Sequence, residues 1–438
     1  MLKYKIVWYF WLMLLFIAPA DAEDIIKKGE LLTLERSIGI ALMQHPSILS
    51  AKGSVDVNQA RKGQAESAYY PQIDASAGYT RFQPSTISTG TTTVGIQRVQ
   101  TSHSFEQYNT SISASQMLFD FGKTRAQVRV QKSNVDASLS DLGNTEEQII
   151  FNVKQAYYDS LRAKRNKVVA EDAIRQFEQH LAQAKAFYEV GTRPKFDVTK
   201  AEVDLSTARL ALLRADNSLS ISFVNLNNAM GVPDAPEYVL EEHVSLPKGV
   251  ISIEEAYKKA FGNRPDLMAF ASRKKAAEDT VAVAQKGYFP FLTGNAGWTW
   301  AGEAGQFATG DGWNAGVTLS IPIFSGFLTK NQVAEARAAL SVISANEEAL
   351  RQNVMLEVQQ AYINLKEAAE RITVAALTVQ QATENLEIAS GRYAAGVGNP
   401  IEVTDAEVAL STARFSHNQA LYDYVIAYAS LEKAMGVR

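Results

Sequence analysis

The chain has 438 residues, no cysteine and a formal net charge of −4. The length holds two or three ordinary domains. The missing cysteines exclude disulfides and an acylated cysteine anchor, and a weakly acidic chain without a basic stripe is a poor fit to nucleic acid.

Residues 1–22 differ in kind from the rest. Lys3 and Lys5 precede an uncharged apolar run from Ile6 to Ala18, and Ala20-Asp21-Ala22 follows. This is the pattern of a secretory signal peptide cut after Ala22. From Leu34 the apolar spacing is helical, with a break at His45-Pro46 and a second run to Tyr69. The same pattern returns over Ile253–Tyr288, broken at Arg264-Pro265. Both runs stop at an aromatic-Pro pair, Tyr70-Pro71 and Phe289-Pro290, where proline biases the preceding residue towards extended backbone.

The period then changes to two. Ile73, Ala75, Ala77 and Tyr79 alternate with Asp74, Ser76, Gly78 and Thr80, and the alternation resumes from Tyr108 to Ser115. In the second half Leu292 to Thr299 and Trp313 to Ser320 repeat it. Two β-hairpins are expected, at about 72–118 and 291–323; the first carries a longer loop, which is poor in order-forming residues. One face of each strand is small, polar and nearly uncharged, and the other is apolar and ends in Tyr79, Tyr108, Trp298, Trp300 and Trp313. A water-filled lumen on one side and an aromatic girdle at a bilayer interface on the other give this pattern. A half-buried soluble sheet alternates in the same way, so a periplasmic coiled-coil scaffold with a soluble sheet stays open as an alternative.

Long helical runs follow, Gly122–Val190 and Leu328–Ala395. In the second, apolar residues from Val354 to Tyr393 recur in steps of four and three, the mark of a coiled-coil seam. Ser160 and Lys167 interrupt the seam in the first. Each run turns at a Gly-containing tip, at about 190–195 and 395–400, and a shorter helix returns to end at Met230-Gly231 or Met435-Gly436. The stretches Tyr188–Arg209 and Tyr393–Arg414 agree at twelve of 22 positions, so the chain is a duplicated unit. The expected organisation is a first repeat over 23–232, a linker over 233–252 and a second repeat over 253–438. The fold class is α+β, with four transmembrane strands per chain entering an oligomeric β-barrel and a long coiled-coil extension. Four strands cannot close a barrel alone and open edges are not tolerated in lipid, so a homo-oligomer is required. The five His residues have no ligand spacing and no catalytic or nucleotide motif occurs, so neither enzyme activity nor a cofactor or metal is expected.

Together, the duplication, the aromatic-Pro entries and the Gly-turn tips followed by an acid resemble the TolC family of outer-membrane efflux and secretion channels. The resemblance implies a homotrimer in the outer membrane of a Gram-negative bacterium, with a β-barrel continued by a periplasmic helical barrel. It implies a passive conduit gated at its periplasmic tip, working with a periplasmic adaptor and an inner-membrane pump in drug or metal efflux or type I secretion. By the same resemblance Val190, Gly191, Thr192, Ala395, Gly396 and Val397 are adaptor contacts, and Asp197 and Tyr393 link neighbouring coiled coils. Glu402 and Asp405 form the acidic ring at the constriction. Where the family commonly has an arginine in the second tip this chain has Gly398. Arg193 takes the equivalent place in the first and is expected to complete the latch by reaching Glu402 or Asp405.

Overall fold

The computed structural model describes residues 26–83, 88–92, 95–99, 105–242, 251–303 and 310–437; the signal segment lies outside them. In chain order the first half forms β1 (Leu31–Leu32), α1 (Leu34–Gln44), α2 (Pro46–Glu66), β2 (Gln72–Phe82), β3 (Ser88–Thr92), β4 (Gly95–Val99), β5 (Phe105–Phe119), α3 (Lys123–Glu189) and α4 (Lys195–Met230). After β6 (Val239–Leu240), the second half forms α5 (Ile253–Asn263), α6 (Pro265–Gln285), β7 (Phe291–Glu303), β8 (Gly310–Ser320), α7 (Leu328–Ala394) and α8 (Pro400–Met435). Corresponding helices match in length: 11 residues for α1 and α5, 21 for α2 and α6, 67 for α3 and α7, and 36 for α4 and α8. At 1.5 Å per residue, α3 and α7 are each about 100 Å long.

The helices begin where the sequence supplies a cap. Thr33 accepts from the Arg36 N–H and Ser252 from the Glu255 N–H, and Pro46 and Pro265 occupy the first turns of α2 and α6. Each short returning helix stops at a left-handed glycine, Gly231 (φ 76°) or Gly436 (φ 65°). A Cβ on Gly231 would lie 2.9 Å from the His45 Cα, and one on Gly436 2.9 Å from the Arg264 Cα. These glycines therefore let α4 stack on the α1–α2 break, and α8 on the α5–α6 break. Among the stacked joints the second is clamped: Arg264 donates to Asp266 (2.6 Å), Glu357 (2.7 Å) and the Ala434 carbonyl (3.2 Å).

The helices pack side by side in a layer. α3 packs against α2 and α4 on one side and against α6 and α8 on the other, and α7 packs against α6 and α8. The coiled-coil row of α7 is buried at Val354, Val358, Ala361, Leu365, Ala368, Ala375, Ala389 and Tyr393. The two interruptions in the first half are accommodated chemically. Ser160 donates to the Ala156 and Ser222 carbonyls, and Lys167 reaches Asp216 at 2.6 Å. Exposed apolar rows remain on α4 (Val203, Leu210, Leu213, Ile221, Val224) and on α7 (Leu356, Ile363, Val374, Leu377, Ile388).

The four long strands pair antiparallel in the order β2-β5-β7-β8. Register keeps the two faces distinct. Ala75, Ile112, Trp298 and Trp313 line up on the apolar face; Ser76, Ser111, Thr299 and Gly312 line up on the polar face. Ser76 and Ser111 are hydrogen-bonded through their hydroxyls at 2.8 Å. Within the long first loop, expected to be irregular, β3 and β4 form a separate antiparallel hairpin. The linker also differs from a free connection. β6 pairs in parallel with β1, Leu32 and Leu240 are buried together, and the Tyr157 hydroxyl donates to the Leu32 and Glu241 carbonyls.

Candidate functional site at the helical tips

Both tips are built by backbone hydrogen bonds onto the last turn of a long helix. In the first, Gly191 (φ 75°) lets the chain reverse, and the Thr192 N–H and Oγ1 both donate to the Phe187 carbonyl at 3.0 and 2.9 Å. In the second, Gly396 (φ 79°) turns the chain, and the Val397 and Gly398 N–H groups both donate to the Arg392 carbonyl at 3.1 and 2.9 Å. The Asn399 side chain then caps α8 by accepting from Ile401. Val190 and Val397 project from the tips with 71% and 72% of their surface exposed.

Gly398 is packed from below. A Cβ there would lie 2.7 Å from the Tyr393 nitrogen and 3.1 Å from the Arg392 Cβ. A longer residue cannot occupy this turn without moving it. Arg193 fills the space from the other hairpin, donating to the Gly396 and Gly398 carbonyls at 3.1 and 2.7 Å with its guanidinium 5.3 Å from the Tyr393 ring centre. This corrects the expectation that Arg193 reaches Glu402 or Asp405. Its planar fork is taken up by two carbonyls of the turn. Glu402 instead faces Arg392 at 3.4 Å, with both side chains about half exposed. Asp405 is exposed and makes no ion pair among the described residues. Arg392 was missed in the sequence, although a base in the last turn of α7 ahead of an acid in the first turn of α8 suits both helix ends.

Beneath the tips the two hairpins share a buried polar layer. Tyr393 is fully buried and Asp197 is 4% exposed. The Tyr393 hydroxyl and the Asp197 Oδ2 have no hydrogen-bond partner among the described residues. Burial first, then the Asp197 charge, raises the Tyr393 pKa, and Arg193 opposes them. The Tyr393 ring lies 5.2 Å from His180 and 5.6 Å from Phe187. Burial lowers the His180 pKa, with Asp204 and Asp197 pulling the other way. One turn into α8, Thr404 donates to Asp204 at 3.0 Å, and Lys200 holds the same carboxylate at 2.6 and 2.7 Å. Glu407, 4% exposed, adds an acid to this seam; burial and then Asp204 push its carboxyl up to about 7. The sequence contained a signal for Glu407, which lies four residues after Val403 and three before Leu410, in the buried row of α8.

Among the described residues no group of three His, Cys, Asp or Glu could hold a metal ion, and no helix is long and apolar enough to cross a membrane. The passage-forming elements are the sheet with one apolar face and the wall of long helices ending in polar tips. They define a channel-type protein of the outer membrane. The chain belongs to the outer membrane efflux protein family, whose model matches residues 37–232 and 256–437, one match per half.

The outer membrane protein TolC of Vibrio cholerae is 24% identical over 399 residues, covering 89% of this chain and 87% of that protein. The outer membrane efflux protein BepC of Brucella suis is 25% identical over 410 residues, covering 92% and 85%. Among solved structures, CusC superposes with a TM-score of 0.80 at 19% identity, covering 92% of each chain. The open state of the MtrE outer membrane channel of Neisseria gonorrhoeae gives 0.76 at 20% identity, covering 92% of this chain and 89% of that one. The protein is thus an outer-membrane channel of the efflux and secretion type, and the soluble-scaffold alternative falls. The relatives are channel proteins, not enzymes.

Proposed function

We propose that three copies of this chain join their four-stranded sheets into one twelve-stranded barrel and their helical walls into a periplasmic tube. The assembly is a passive conduit from periplasm to exterior, gated at its tips and served there by a periplasmic adaptor linked to an inner-membrane pump. The observation that carries this reading is the incompleteness of the single chain. The outer edges of β2 and β8 have no partner strand among the described residues, and the sheet exposes Ile73, Tyr79, Trp298, Trp313, Val317 and Leu319 on one face. Lipid tolerates the apolar face but not the open edges. The exposed rows on α4 and α7 likewise suit a neighbouring copy. The valines at the tips support their reading as adaptor contacts, and Glu402 and Asp405, three apart in the first turns of α8, support theirs as the constriction. Arg193, bonded to the Gly396 and Gly398 carbonyls and set against the Tyr393 ring, supports its reading with Tyr393 and Asp197 as the tip latch.

Purified protein reconstituted in a planar bilayer tests the reading. The expected result is discrete single-channel currents from a species that runs as a trimer in mild detergent. A monomer that stays soluble without detergent and carries no current would refute it.

A further inference from the structure

We propose that Arg392 sets the ion selectivity of the tip passage by neutralising one of its two tiers of carboxylate. The inference rests on the reading of Glu402 and Asp405 as the lining of the constriction. Its own basis is the geometry of the second tip. Arg392 ends α7 and Glu402 opens α8, and the turn between them is tied back onto Arg392. The Arg392 carbonyl accepts from both Val397 and Gly398, and the bare Gly398 lies against the Arg392 Cβ. This closure holds the guanidinium 3.4 Å from the Glu402 carboxylate, while Arg193 is committed to the Gly396 and Gly398 carbonyls.

Each chain therefore offers the passage one ion pair and one uncompensated acid, Asp405. A ring of acids concentrates cations and repels anions. A ring in which half the acids carry a fixed counter-charge does so less, and admits anionic solutes more readily than two bare tiers would. Because the pair is about half exposed, it contributes little to holding the tip together. The potential it creates inside a narrow, low-dielectric mouth is the larger effect.

Reversal potentials across a salt gradient in planar bilayers test this. Arg392→Gln is expected to raise the cation-to-anion permeability ratio by about sevenfold, since a change of one kT in local potential raises the cation and lowers the anion concentration by about 2.7-fold each. Arg392→Lys, which keeps the charge, is expected to stay near the wild type. Adding Glu402→Gln to Arg392→Gln should return the ratio towards the wild type, because the acid left bare is then gone. If Arg392→Gln leaves the ratio unchanged while Glu402→Gln with Asp405→Asn lowers it, the constriction stands and the role of Arg392 is overturned. If neither variant moves the ratio, these carboxylates do not line the passage and the inference falls with that reading.

Discussion

Replacing Glu407 by Gln isolates a carboxyl that the seam between the hairpins keeps out of its ordinary range. Its value of about 7 compares with 4.5 for a free glutamate, and each pKa unit is worth about 1.4 kcal/mol. Ionising it in place therefore costs about 3 kcal/mol per chain. Because the folded value is raised, the stabilisation is fully present below pH 4.5 and lost progressively as pH rises to about 7. Other charged and ionisable side chains lie nearby. Asp204 is paired with Lys200 and accepts from Thr404. His180, with its lowered pKa, acts in the opposite sense, its stabilisation being lost only as pH falls. His180 is common to wild type and Glu407→Gln, so the difference between the two proteins isolates Glu407. Thermal unfolding in detergent, followed by circular dichroism from pH 4.5 to 8.5, should show the variant gaining on the wild type by about 3 kcal/mol per chain across that range. A difference that is constant with pH would show that Glu407 is ionised throughout and that its burial has no energetic consequence.

Two further outcomes follow from the faces of the sheet and the packing of the second tip. Arg at Ala77 or Val317, on the apolar face, should cost about 2–4 kcal/mol near the bilayer midplane and reduce the assembled fraction on a mild-detergent gel. Arg at Ser76 or Thr318 should assemble normally, and equal losses on both faces would defeat the assignment. Gly398→Ala places a Cβ 2.7 Å from the Tyr393 nitrogen, so the turn must shift away from Arg392 and Arg193. Single-channel conductance is expected to rise, and a wild-type value would show that the tip does not limit the current.

The periodicities of the chain were legible because each records a repeated environment. Alternation in Ile73–Thr80 survives as two sheet faces, and the steps of four and three from Val354 to Tyr393 survive as a buried row. Contacts made once were not legible. That Arg193 meets carbonyls rather than carboxylates depends on how tightly Gly398 seats on Arg392, a distance no pattern encodes. The hairpin β3–β4 pairs a Ser-, Thr- and Gly-rich strand with one of mixed composition, each only five residues long and too short to establish a period. The Glu407–Asp204 approach joins residues more than 200 positions apart; each taken alone reads as an ordinary helix acid.

Because corresponding helices of the two halves have equal lengths, the proposed ring of three chains would have a shaft of quasi-sixfold regularity built from threefold parts. The regularity breaks at the ends. At the sheet end, among the described residues, the first half alone carries an extra hairpin, β3–β4. At the tips, Arg193-Pro194 in one hairpin corresponds to Gly398-Asn399 in the other. A partner docking there meets two alternating chemistries, one a cation beside a stiff proline and the other a close-packed glycine beside a capping amide.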